Sequence, residues 1–313
     1  MTNIFISGGA GYLGSVLVPA LLKRNHGIDR VTVLDHFAHN QNSLAACARY
    51  RNFEAVNGDA RDMSIVAPLV AKADVVIPLA AIVGAPACKR DQSAAISTNR
   101  HAVANLCGLL SPEQRVIFPN TNSGYGIGGE DLCTEESPLR PLTLYGQTKA
   151  EAEQIVMDRE NSIAFRLATV FGPSPRMRLD LLVNEFVWRA VNDKSITIFE
   201  GHFRRNFVHV SDVARAFCHA ISEFGRMKGN IYNVGRTDAN MTKLELCAKI
   251  KEYVSDFVYL EAPIGNDEDK RDYIVSNAKM EATGWAPIET IDDGIKELLV
   301  LYPMLRNSIY ANV

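Results

Sequence analysis

The stretch "TLYGQTKAEAE" holds a tyrosine and a lysine four residues apart, Tyr145 and Lys149. On a helix that spacing sets both side chains on one face, one turn apart. A phenol titrates near ~10, and drawing it to ~7 takes roughly 4 kcal/mol of preference for the phenolate. One cation ~5 Å away, at an effective dielectric of ~20, supplies about 3 kcal/mol of that. Lys149 together with a second positive group, such as an oxidised nicotinamide ring, would make Tyr145 a general base at neutral pH. A hydroxyl must also orient the substrate alcohol, and "PNTNSGYG" offers Thr121 and Ser123 at the end of an apolar run. By itself the pair describes many helices with a core tyrosine and a surface lysine. The residues upstream make it specific.

There, "IFISGGAGYLGS" (4–15) packs four glycines into seven residues. It fits both Gly9-x-Gly11-x-x-Gly14 and Gly8-x-x-Gly11-x-x-Gly14. Glycine is the costliest residue to order, so the cluster answers a geometric need. Between a strand and a helix, such a loop holds a pyrophosphate with backbone N–H groups and the helix dipole. Twenty-one residues after Gly14, "VTVLD" ends on Asp35. A carboxylate there accepts hydrogen bonds from ribose hydroxyls and repels a 2′-phosphate. His36 and Phe37 come next, with no arginine to receive that phosphate, so the expected cofactor is NAD and not NADP. In "NGDARD" Asp59 is placed to meet the adenine edge, and Asp62 reads as a helix cap.

These residues need a scaffold. Short β-branched runs, "NIFIS" (3–7), "RVTVL" (30–34), "FEAVN" (53–57), "DVVIPLA" (74–80) and "RVIFPN" (115–120), alternate with helical patterns at Tyr12–Asn25 and 94–110. Near-continuous apolar strands between helices predict an α/β fold, a Rossmann-type doubly wound parallel sheet with a smaller C-terminal substrate-binding region. The expected division is a cofactor domain over 1–169 and a substrate region over 170–313, with segments near 206–235 ("NFVHV", "NIYNVG") returning to the main sheet. A net charge of -3 gives no nucleic-acid surface. No apolar run approaches the ~18 residues of a membrane span. The opening "NIFISGG" lacks the basic region and cleavage site of a signal peptide. The six scattered cysteines read as reduced thiols of a cytoplasmic protein, and nothing has metal-ligand spacing.

Taken together, the chain resembles the extended short-chain dehydrogenase/reductases, in the branch with UDP-galactose 4-epimerase and the NDP-sugar 4,6-dehydratases. The residues that carry the resemblance are Gly8/Gly11/Gly14, Asp35, Thr121 followed by Tyr125-Gly126, and Tyr145/Lys149. "LAA" (79–81), "RLATVFGP" (166–173), "RRNFVHVSDVA" and "YNVG" (232–235) extend it over nearly the whole chain. The resemblance implies that Thr121 orients the substrate, Tyr145 accepts the proton and Lys149 holds the nicotinamide ribose. It also implies that Tyr12, Leu13, Ala60, Leu79, Ala80, Ala81 and Asn99 join the glycines, Asp35, Asp59, Tyr145 and Lys149 around NAD. On the substrate side it implies Asn122 and Ser123 at the sugar, with Arg205 and Arg271 on the diphosphate of a nucleotide sugar. Arg176, Arg178 and Asn184 are further diphosphate candidates, whereas His209 and Asp212 read as a buried imidazole and a helix N-cap. Cys88 reads as a buried small hydrophobe. A homo-oligomer, dimer or tetramer, through helices near 94–110 and 145–160 is implied as well.

The departures narrow the chemistry. Family 4,6-dehydratases follow the Ser/Thr with Asp-Glu or Ser-Glu, and this chain has Asn122-Ser123. Relatives that epimerise at C3 and C5 use a cysteine where Ser123 stands, and Thr169 replaces a usual asparagine. The expected reaction is oxidation at C4 of a nucleotide-linked hexose or heptose without dehydration. The product is either the released 4-keto sugar or the C4 epimer. A similarity to GDP-heptose C4 dehydrogenases of capsule synthesis belongs to this group. A catalytically silent NAD-binding regulator is disfavoured because the triad is intact.

Overall fold

The computed structural model describes residues 2–23, 27–39, 42–263 and 271–305. The first half runs β1 (Thr2–Ser7), α1 (Gly14–Lys23), β2 (Ile28–Asp35), β3 (Phe53–Asn57), α2 (Met63–Val70) and β4 (Val75–Pro78). It continues with α3 (Ala85–Arg90), α4 (Gln92–Ile96), α5 (Ala102–Leu109), β5 (Arg115–Thr121), β6 (Ile127–Cys133), α6 (Leu144–Met157) and β7 (Ser162–Leu167). Next come β8 (Thr169–Phe171), α7 (Leu182–Asn192), β9 (Ser195–Ile198), β10 (Arg204–His209), α8 (Val210–Ser222), α9 (Phe224–Met227) and β11 (Asn230–Val234). The chain closes with β12 (Asn240–Thr242), α10 (Lys243–Tyr253), β13 (Val258–Glu261), β14 (Asp272–Val275), α11 (Ala278–Glu281) and α12 (Ile291–Leu301).

Seven strands form one parallel sheet in the order β11-β7-β5-β4-β1-β2-β3. Its strands are apolar on both sides because both sides are covered, and period-two alternation divides their residues between two cores. Ile4, Ile6, Val31, Val33, Ile117 and Ile163 pack in the cluster that includes α1 and α8. Phe5, Leu34, Val76, Phe118 and Ala164 face the opposite way, toward α2, α5 and α6. A third core gathers α7, α10 and α12 around the small sheet β12-β10-β8. That core is the body of the C-terminal region.

Two expectations change in detail. "NIYNV" does return, as edge strand β11, but "NFVHV" lies in β10 and pairs with β8 and β12. The main sheet already ends at β11, so β10 builds the small sheet. The expected helix over 94–110 is three pieces, α4, a π turn at Ser97–His101, and α5. Its apolar residues Ala95, Val103, Leu106 and Cys107 are buried within the chain, while His101, Asn105, Gly108 and Leu109 are exposed. The predicted end of the first helix, Asn25, lies outside the described residues.

Candidate active site

The glycine loop joins β1 to α1 and fits a dinucleotide by its packing. A Cβ on Gly8, where φ is +74°, would stand 2.5 Å from the Ala80 nitrogen, and one on Gly14 would stand 2.3 Å from the Gly9 oxygen. Only bare backbone fits there. Beside them the Asp35 carboxylate ends β2 and accepts from Ala10 N (3.0 Å) and Phe37 N (2.9 Å). That fixes the carboxylate at the edge of the loop, where a ribose diol is expected, so the residues present fit NAD. Leu79–Ala81 end the adjacent β4, with Leu79 N bonded to the Ser7 carbonyl at 2.8 Å.

The candidate catalytic residues lie on β5 and α6, which pack against each other. Thr121 is the last residue of β5, and its hydroxyl accepts from Ser123 N and donates to Ser123 Oγ, both at 3.1 Å. Thr143 caps α6 by accepting from Gly146 N at 3.2 Å. That cap starts the helix so that Tyr145 falls in its first turn and Lys149 in its second. Lys149 is buried with its Nζ 4.0 Å from the Phe118 ring centroid. Burial pushes its ammonium down to about 7, against the opposing pull of the Glu153 carboxylate. Asn122 is 1% exposed and both of its amide atoms lack a hydrogen-bond partner. A buried amide left so costs about 1–3 kcal/mol per group.

A profile of the NAD dependent epimerase/dehydratase family matches residues 4–235. The chain belongs to this family. It is an NAD-dependent enzyme in the nucleotide-sugar branch of the extended short-chain dehydrogenase/reductases. It is 29% identical to the low-salt glycan biosynthesis protein Agl12 of Haloferax volcanii, over 96% of this chain and 98% of that protein. It is 26% identical to UDP-glucuronic acid decarboxylase 3 of Arabidopsis thaliana, over 94% and 86% of the two chains. Its fold matches dTDP-glucose 4,6-dehydratase of Bacillus anthracis, solved with NAD, with a TM-score of 0.83, 23% identity and 99% of each chain covered.

Several residues expected at NAD or substrate also make bonds that hold the fold. The Tyr12 hydroxyl donates to the Gly172 carbonyl at 2.6 Å and its ring packs in the third core. Asn184, expected on the diphosphate, has its amide used internally: it accepts from Gly172 N and donates to the Arg178 carbonyl and the Tyr12 hydroxyl. Arg178 is forked onto Asp180. The backbone N–H of Arg176 donates to Ser15 Oγ at 3.2 Å, and its Nη1 donates to the Met177 carbonyl at 3.0 Å. These contacts tie the loop at 172–181 over the start of α1. The internal use of its amide corrects the diphosphate expectation for Asn184.

Asn99 likewise acts through backbone. Its amide accepts from Ile82 N at 2.8 Å and donates to Ile82 O at 2.9 Å, clamping the segment just after Leu79–Ala81. The Asp59 carboxylate, with Ala60 beside it, is held by Arg61, whose hydrogen bonds keep it below the usual range. Asp212 is not a cap. His209 caps α8 through Nδ1, and Asp212 accepts from Ile288 N and Glu289 N, both at 3.0 Å. Arg205 is buried in β10, and Arg271 directly precedes β14, whose Asp272 pairs with Arg204 at 3.1 Å. The two arginines assigned to the diphosphate therefore sit on adjoining segments. Sequence reasoning missed Phe118, Glu153 and Arg166; the one available signal was Glu153 one turn beyond Lys149.

Proposed function

We propose that this enzyme oxidises C4 of a nucleotide-diphosphate hexose or heptose and does not eliminate water, releasing the 4-keto sugar. In this reading Tyr145 takes the proton from the C4 hydroxyl and Thr121 orients its oxygen. Lys149 binds the nicotinamide ribose and, as a cation one turn from Tyr145, favours its phenolate. NAD, when bound, supplies the hydride acceptor. Asn122 meets the sugar with its amide, and Arg205 and Arg271 hold the diphosphate by charge-assisted hydrogen bonds suited to guanidinium geometry.

The observation that carries the reading is the pair of side chains next to Thr121. An amide and a hydroxyl, Asn122 and Ser123, stand where the dehydratases carry Asp-Glu or Ser-Glu, and the Ser123 hydroxyl lies 3.1 Å from that of Thr121. Neither side chain moves a C5 proton at neutral pH. The same groups serve a 4-epimerase that returns the hydride, so epimerisation is the second reading. The test incubates enzyme and NAD with UDP-, GDP-, CDP- and dTDP-linked sugars, GDP-heptose included, monitors NADH, and weighs the products. A product lighter by two hydrogens supports the proposal, and an isobaric epimer supports the second reading. Loss of water would overturn both, and loss of carbon dioxide would assign a decarboxylase like the plant relatives.

A further inference from the structure

Behind the reacting pair lies a buried polar unit to which the C4 oxidation assigns no step. Glu153 comes one turn after Lys149 on the same face of α6, and neither is more than 4% exposed. Arg166, on β7, forks onto the Glu153 carboxylate through Nη2 (2.7 Å) and Nε (3.1 Å). Asn120 donates to the same carboxylate at 2.5 Å. The Arg166 guanidinium also donates to the Tyr125 hydroxyl at 3.1 Å, and that hydroxyl donates to Asn233 at 2.7 Å. Asn120 directly precedes Thr121, and Tyr125 closes the short turn after it. One hydrogen-bonded unit therefore touches the helix of Tyr145 and Lys149 and both flanks of Thr121. A buried ion pair is weak evidence for stability, because apolar replacements often fold as well or better. Its place next to a desolvated lysine asks for another reason.

We propose that Glu153, locked by Arg166 and Asn120, is a positioning residue that keeps the Lys149 ammonium charged in a dry site and sets α6 in register with Thr121. This rests on the assignment of Lys149 to the cofactor ribose. An ammonium stripped of water needs an anion or a π face nearby, and Phe118 supplies only the second. The other titratable groups on elements packed against α6 do not supply the first. Burial pushes the thiols of Cys88 on α3 and Cys107 on α5 up to about 11, and the Tyr125 phenol up to about 12, so all three are neutral. Arg100 on the π turn pairs with Glu151 at the surface, and Lys89 and His101 are exposed. Glu153 is the carboxylate buried with Lys149.

The test reads NADH binding by nicotinamide fluorescence from about pH 6 to about pH 9, a range that spans the Lys149 transition. A charged Lys149 donates to the ribose, so affinity falls as pH rises through its midpoint. Glu153→Gln keeps the shape and removes the charge, and the midpoint should drop by about one unit or more, giving roughly tenfold weaker binding near neutrality. Glu153→Asp keeps the charge and should hold the midpoint near that of the native enzyme. A Glu153→Gln variant with the native midpoint, or with affinity lowered evenly at every pH, overturns the proposal. Should it fail to fold, Arg166→Gln decides: the carboxylate loses its cation and the midpoint must rise, and an unmoved midpoint sinks the idea. Lys149→Met separates the two layers. If it leaves the pH profile intact, the ribose assignment has failed. If it flattens the profile while Glu153→Gln moves nothing, only the positioning role of Glu153 has.

Discussion

Replacing Lys149 by Met should stabilise the cofactor-free protein at neutral pH while ending its chemistry. The ammonium sits in a site that holds its midpoint at about 7 against an ordinary 10.5. Between those values the unfolded chain binds more protons than the native one, so native stability rises with pH across the window. Below about pH 7 the full cost is present, and above about 10.5 none remains. A shift of three and a half units sets an upper bound of about 5 kcal/mol. The Phe118 ring, 4.0 Å from Nζ, gives back about 1–2 kcal/mol. Met keeps the unbranched stem, fills the volume and places sulfur against the same ring. A gain of about 3 kcal/mol should appear near pH 6.5, roughly 5 °C in Tm for a chain of this length. Urea and thermal melts of both proteins at about pH 6.5 and about pH 10 provide the measurement. A variant no more stable at the lower pH, or a difference that persists at the higher one, refutes this account of Lys149.

Tyr145→Phe should lower turnover by at least ~10²-fold with NADH affinity largely retained, since it deletes the base and leaves the rest of the cofactor cradle; equal losses in binding would contradict that. Asp35→Ala should weaken NAD by about 10- to 100-fold and NADP far less, as competition titrations would show. At Gly172 φ is +105° and a Cβ would stand 2.1 Å from His209 Nε2. Gly172→Ala should therefore cost about 3 kcal/mol in urea unfolding, and a neutral result would mean that the imidazole can swing away. A dimer built on α5 and α6 should give twice the chain mass in sedimentation at micromolar concentration, and a sharp monomer would exclude it.

The main sheet was legible because its signals are local. Val, Ile and Phe fill β1, β4 and β5, and the glycines and Asp35 fall at strand ends, where short sequence windows suffice. The partnerships across the chain were not. Tyr12 and Asn184 are 172 residues apart, and only the folded molecule shows that their polar atoms satisfy each other. Nothing local links Arg166 on β7 to Glu153 on α6, and their burial against each other decides what they do. The break in the helix over 94–110 was not legible either. The small apolar residues there serve the chain's own sheet, and a π turn shifts the helix face so that Asn99 reaches Ile82.

β11 has a consequence for how the chain is made. The cofactor half is synthesised first, yet the strand that covers the outer edge of β7 arrives only with Asn230–Val234. Until then, Ser162–Leu167 would stand on the nascent chain as a bare, apolar, two-faced edge, the kind that recruits other strands. A polypeptide cut anywhere between these two segments keeps every glycine of the loop, Asp35, Tyr145 and Lys149, and still lacks the strand that caps its sheet. Truncations intended to isolate the nucleotide-binding half should consequently aggregate, and a separately supplied segment carrying 230–234 is the natural remedy to try.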